Sequence, residues 1–283
     1  AADAGIKSSV RAVAAALRVV LTRSSGEEVV KAWREAAAEL GKTFGENHYL
    51  AVKAKRRLAQ SIYASYAAAD PGFAECARLH EEGTRAGPEW ERNLSRFDLA
   101  RALMRMKRDA EAEKYLRLAL ARFKKEPPDL FAGHEPHALQ LLAMLADRSG
   151  DPKKKPEVEN LLKMAVDAVR INKATPAGRR GIALRDLGHI RLVRNQDFIS
   201  TAALFAESAE SFRQLKTADR DLRCAQSLAY QAIVVRASGD VGAADRLRRA
   251  AEQLARPHVT DGGRLAQEVR RLLKGETPAW PGA

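Results

Sequence analysis

The stretch Leu222–Ala251, LRCAQSLAYQAIVVRASGDVGAADRLRRAA, reads as two helical segments on either side of Gly239-Asp240. Leu228-Ala229 lies in the middle of the first segment, and Ala244 and Ala251 lie seven residues apart in the second. Seven residues is close to two helical turns, so the two alanines share a face. A glycine ends one helix because it accepts a left-handed backbone, and the aspartate after it caps the next by accepting an orphan N–H. The stretch predicts a helical hairpin whose members approach through small residues.

The unit recurs. A leucine, usually followed by Ala or Gly, stands in mid-helix at Leu17, Leu58, Leu99, Leu142, Leu187, Leu228 and Leu265, at spacings of 41, 41, 43, 45, 41 and 37. A repeat of roughly 20–50 residues means one supersecondary element per unit, which buries its apolar face only by stacking on its neighbours. Breakers at Ser24-Ser25-Gly26, Asp70-Pro71-Gly72, Lys107-Arg108-Asp109, Gly150-Asp151-Pro152, Asn195-Gln196-Asp197 and Gly239-Asp240 separate the two helices of each hairpin. Linkers between hairpins fall at Gly45–His48, Gly87-Pro88, Pro127–Pro136, Ala174–Pro176, Thr217–Asp219 and Pro257–Gly263. Small residues recur where helices must meet: Ala59, Ala100, Ala143, Gly188 and Ala229 on first helices, Ala74, Ala112, Ala202 and Ala244 early in second helices, and Ala119, Ala165, Ala209 and Ala251 later. The expected fold is all-α, a right-handed superhelical solenoid of about six hairpins over residues 6–274 with a capping helix near Leu265–Leu273. Residues 275–283, with Trp280 between prolines, are expected to be a disordered tail.

Leu-Ala or Leu-Gly on the first helix, a Gly-Asp turn, and Ala, a bulky residue and Ala on the second resemble the tetratricopeptide repeat, as in Ala112, Leu116 and Ala119. The usual unit is 34 residues. The longer units here, with Gly45-Glu46-Asn47-His48 and Gly133-His134-Glu135-Pro136 as Gly-x-x-His-Pro-like linkers, resemble the kinesin light chain variety. The tryptophan and regular tyrosine of the usual first helix are missing. The resemblance implies a non-catalytic scaffold or adaptor, and high Arg and Ala usage fits a bacterial member.

With 49 Lys and Arg against 36 Asp and Glu, the net charge is +13, which favours acidic proteins, nucleic acid or anionic lipid as partners. Aromatics make up only 6%, too few for the interleaved stacking platforms that single-stranded nucleic acid uses. Basic clusters at Lys53–Arg57, Lys124-Lys125, Lys153–Lys155, Arg179-Arg180, Arg248-Arg249 and Arg270-Arg271 would suit an anionic membrane surface, or simply keep the chain in solution. Cys76 and Cys224 fall in different repeats and read as two packed, reduced thiols, implying a cytoplasmic setting. The most apolar run, Val10–Leu21, is interrupted by Arg11 and Arg18, so no membrane span is expected. The chain opens without methionine, leaving room for a removed leader or anchor.

Nothing in the sequence assembles a catalytic centre. Gly41-Lys42-Thr43 imitates the end of a phosphate-binding loop, but position 36 is Ala36 and no strand precedes it. His134 and His137 share a face without other ligands at metal spacing. No cofactor, metal or small-molecule substrate is expected.

The concave groove formed by first helices is the expected working surface. The tetratricopeptide offsets about the small residue after each leucine select Lys53, Arg56, Gln60 and Tyr63, then Phe97, Arg101 and Arg105, then Gln140, Met144 and Arg148, then Arg185 and His189, then Arg223, Gln226 and Tyr230. Guanidinium forks pair bidentately with carboxylates, and Tyr, Phe and Met add apolar contact, so the groove reads as a receptor for an acidic, extended peptide. Arginine is abundant throughout, so the same pattern also reads as a solvated face. By analogy with bacterial kinesin-light-chain-like proteins, an acidic tubulin-like filament is the sharpest partner. Two other classes share these features: a sensor region of a larger signalling protein such as a kinase or caspase-like protease, and a nucleic-acid-binding regulator.

Overall fold

The computed structural model describes residues 2–21, 26–67, 69–125, 131–194, 197–258 and 262–277, with the side chains of 2–4 and 16–21 not described. The described residues form thirteen α-helices and no strand. The chain divides into two compact units, Ala1–Arg122 and Phe123–Ala283.

The first unit holds α1 (Ala2–Leu21), α2 (Gly26–Phe44), α3 (Tyr49–Ser65), α4 (Pro71–Gly83), α5 (Glu89–Arg105) and α6 (Asp109–Phe123), whose last residue begins the second unit. The second holds α7 (His134–Arg148), α8 (Lys155–Ile171), α9 (Ala177–Val193), α10 (Phe198–Arg213), α11 (Arg220–Ala237), α12 (Val241–Ala255) and α13 (Arg264–Leu273). Each repeat leucine falls on an odd-numbered helix, so the 41-residue rhythm is the rhythm of hairpins. Leu58, Leu99, Leu142, Leu187 and Leu228 are buried and Leu265 is half-buried.

Capping explains where many helices begin. Asp70 accepts from Gly72 N, Asp151 from Lys153 N, Asp197 from Ser200 N and Asp240 from Ala243 N. His48, in the expected linker, caps α3 by accepting from Leu50 N at 3.3 Å. Each contact satisfies a donor that the helix itself leaves unpaired. Gly150 and Gly239 turn the chain with φ of +67° and +99°, and Lys107 occupies the corresponding place at +60°.

Small residues govern the close contacts. Ala59, Ala100, Ala112, Ala119, Ala143, Ala165 and Ala251 are wholly buried, and Ala209, Ala229 and Ala244 nearly so. Ala74 and Ala202 depart from the expected register: Ala74 is exposed and Ala202 half-buried. The inner position lies one residue earlier, at Phe73 and Thr201, both fully buried. One residue is about 100° of helical rotation, enough to carry a side chain off the contact face. The first unit's core joins Trp33 and Leu40 of α2, Leu58 and Ile62 of α3 and Phe73 and Leu79 of α4. The second unit's core around α11 gathers Phe205, Leu222, Leu228, Val234, Ala266, Val269 and Leu272. Thus α13 caps its unit by burying Ala266, Val269 and Leu272 while Arg264 and Arg271 face solvent.

Gly275 and Glu276, where the tail was expected to begin, close the last turn through Gly275 N to Leu272 O at 2.9 Å and Glu276 N to Arg271 O at 3.1 Å. The rest of the tail, 278–283, lies outside the described residues. Cys76 and Cys224 are free and buried, as expected, and burial pushes the Cys76 thiol up to about 12.

Two substitutions test this packing. A Cβ on Gly181 would stand 2.7 Å from the ring of Phe212, which is fully buried and has no room to retreat. Gly181→Ala should therefore lower stability by about 1 kcal/mol net, because overpacking of roughly 1–3 kcal/mol outweighs a helix-propensity gain of about 1 kcal/mol; a rise in the urea midpoint would refute the contact. Lys107→Gly should instead gain about 0.5–1 kcal/mol in the same titration, by removing the left-handed penalty of an L side chain.

Candidate functional site: the face of the odd-numbered helices

Within each unit the odd-numbered helices lie against one another: α3 meets α5, and α9 meets both α7 and α11, which meets α13. Positions one repeat apart therefore become neighbours, and charged side chains on this face find partners about 40 residues away in sequence.

In the first unit the partners converge on Asp98. Its carboxylate accepts from Gln60 Nε2 at 2.9 Å, Arg56 Nε at 3.3 Å and Arg101 Nη1 at 3.3 Å. Arg56 also donates through Nη1 to Glu91 at 2.9 Å. Asp98 and Glu91 are both buried, so the arginine offsets charge that would otherwise be stranded away from water. Arg105 caps the end of α3, donating to Tyr63 O at 2.5 Å and Tyr66 O at 2.9 Å. A cation there also matches the negative end of the helix dipole. The half-buried Tyr63 ring lies between two guanidiniums, Arg101 at 4.6 Å and Arg105 at 4.7 Å from its centroid. Phe97 is buried beneath, 6.0 Å from Arg101. Lys53 is exposed and donates to the Tyr49 hydroxyl at 3.1 Å.

In the second unit a hydrogen-bonded ladder crosses four helices. Gln140 Nε2 donates to Asp186 at 3.2 Å, Arg185 Nη2 donates to the other oxygen of Asp186 at 2.9 Å, and Arg185 Nη1 donates to Gln226 Oε1 at 2.7 Å. Tyr230 continues it, donating to Glu268 of α13 at 3.3 Å, with His189 edge-on to its ring at 5.2 Å. Burial acts against the Arg185 charge, but Asp186 outweighs it and holds the guanidinium above its usual pKa. Burial and Glu268 push the Tyr230 hydroxyl up. Arg223 pairs at 2.6 Å with Asp219, the residue just before its helix, Met144 is half-buried and Arg148 is exposed.

Contacts thus link Arg56, Gln60, Tyr63, Arg101 and Arg105 in the first unit, and Gln140, Arg185 and Gln226, and His189 with Tyr230, in the second, in different environments. Phe97, Gln140, His189, Gln226 and Tyr230 are buried, and Arg56, Arg185 and Arg223 pair with carboxylates of the chain itself. Lys53, Arg101, Arg105, Tyr63 and Arg148 keep exposed surface. The acidic partners Glu91, Asp98, Asp186 and Glu268 escaped the sequence reading, although Asp98 and Asp186 each stand immediately before a repeat leucine.

Gly41-Lys42-Thr43 is the last turn of α2, where the Thr43 hydroxyl accepts from Ser9 at 2.7 Å. His134 packs against Phe123 and Phe131. Among the described residues no cluster has metal-ligand composition, and no helix is long and apolar enough to cross a membrane.

No protein-family profile matches the chain, and no curated protein matches it. A solved structure is similar: TPR-like repeats attributed to a kinesin light chain of Podospora anserina, at 17% identity, covering 76% of this chain and 99% of that one with a TM-score of 0.53. At that identity the likeness shows the fold, a TPR-like array of helical repeats.

The first unit carries a pH dependence. His80 on α4 is buried, and desolvation lowers its pKa to about 4; Asp98 opposes the shift while Arg56 and Arg101 add to it. Burial raises the Asp98 carboxyl, yet His80, Arg56, Gln60 and Arg101 together hold it below the ordinary carboxylate range. Unfolded His80 takes up a proton near pH 6.5 while the folded protein stays neutral there, so stability is full above 6.5 and falls toward pH 4. Loss of Asp98's contribution follows at still lower pH. Urea titrations should show about 3 kcal/mol lost across that window. His80→Leu should flatten the profile, and a wild-type curve level from pH 7 to pH 4.5 would contradict the assignment.

Proposed function

We propose that the chain is a non-catalytic adaptor that recruits an acidic protein partner along the exposed parts of its odd-helix face. The TPR-like fold supports the general reading, because such repeats present extended surfaces suited to protein segments. The observation that carries the acidic partner is the Arg101–Tyr63–Arg105 stack, a partly exposed cationic and aromatic surface in a chain of net charge +13. Stacked guanidiniums keep edges that donate to carboxylates, and the tyrosine adds apolar area at low entropic cost. In its sharpest form the partner is a tubulin-like filament, the likeness to kinesin light chain repeats supplying the analogy. Arg56 and Arg185 hold the fold together in this reading and are unsuitable probes of binding.

The test is co-sedimentation of the full chain with purified tubulin-like polymers at about 0.15 M salt, where charges act over about 8 Å, alongside titration with a glutamate-rich peptide. Lys53→Glu with Arg101→Gln, shown folded by circular dichroism, should weaken both by tenfold or more. Peptide binding without sedimentation would remove the filament and keep the acidic partner. Equal binding by wild type and variant would overturn the docking surface itself.

A further inference from the structure

A second cationic surface lies in the second unit. A cavity of about 410 Å³ opens where α11, α12 and α13 meet. Arg249 and Arg256 line it from α12 and the short turn that follows, seven residues apart and therefore on one side, and Arg270 reaches it from α13. Its remaining charge is Glu252, already engaged by Arg248 at 3.8 Å. Among the described residues, the side chains of Arg249 and Arg256 make no ion pair or hydrogen bond, so the cavity carries more positive than negative charge. The floor is apolar, formed by Leu222, Ala255, Ala266 and Leu273.

Two guanidiniums above an apolar floor have a definite chemical complement. A phosphomonoester carries about −1.5 to −2 charges at neutral pH and presents three acceptor oxygens, so it matches two arginine forks better than one carboxylate does. The floor needs a carbon stem beside the anion, and the volume lies within the usual range of small-ligand sites. We propose that this cavity binds a phosphomonoester on an apolar stem, free or carried on a protein side chain, with Arg249 and Arg256 holding the phosphate. The site is independent of the acidic-partner surface, and each survives the failure of the other.

The experiment is isothermal titration of the full chain at about 0.15 M salt with phenyl phosphate, inorganic phosphate, benzoate and a phosphotyrosine peptide. Phenyl phosphate should bind at least tenfold more tightly than inorganic phosphate, which lacks the stem, and than benzoate, which lacks the second charge. Arg249→Gln with Arg256→Gln should abolish that preference, whereas Arg213→Gln, an exposed arginine elsewhere in the unit, should leave it intact. Both target arginines are exposed, so the double variant should keep its circular dichroism spectrum. Peptide binding as tight as phenyl phosphate marks a protein side chain as the source, and weaker peptide binding marks a free ligand; either supports the site. Equal affinity for all the anions, equal loss in the Arg213 variant, or no heat with phenyl phosphate would overturn it.

Discussion

Everything in this molecule depends on how closely two helices of a hairpin can approach. Where a first-helix backbone meets its partner, the chain puts Ala59, Ala100, Ala143, Gly188 or Ala229, and the second helix answers with Ala112 and Ala119 or Ala244 and Ala251. Gly188 shows how tight this becomes, since even a methyl there would sit 3.0 Å from the ring of Phe205. Close packing multiplies weak dispersion contacts, and an added methylene forces side chains off their preferred rotamers. A fold without sheets or disulfides among its described residues relies on that density repeated hairpin after hairpin.

The electrostatics follow from the packing. A chain with a large excess of basic residues must place some of them at helix contacts, and there a guanidinium is tolerable only with a counter-charge. Asp98 and Asp186 supply it from equivalent positions, each directly before a repeat leucine. The bidentate, always-charged character of arginine suits it to such bridges between neighbouring repeats. Part of the positive charge is thereby consumed in holding the units together. Among the cations that keep exposed surface are the pair stacked on Tyr63 in the first unit and arginines of α12 and α13 in the second.

This division bears on function in repeat proteins generally. A residue placed on the working face by its offset is not thereby available to a partner, because the same face also carries the contacts between repeats. Arg56 and Arg101 illustrate the distinction: both donate to Asp98, yet Arg56 continues inward to the buried Glu91 whereas Arg101 lies against the rim-exposed ring of Tyr63.

The sequence by itself determined the helical class, the hairpin period, most turns and the small-residue contacts, since each is written in local composition that repeats about every 41 residues. It also placed Arg56, Arg101, Arg185 and Tyr230 on the correct helices. Register at Ala74 and Ala202 escaped it because a one-residue phase shift leaves composition unchanged while turning the side chain away. Only the tertiary structure decided which arginines are structural and which are open. Arg56 meets Asp98 from 42 residues away and Arg185 meets Gln226 from 41 away, and those distances close only when neighbouring repeats stack. Charge pairing is a property of that stacking, and no window of sequence shorter than a repeat contains it.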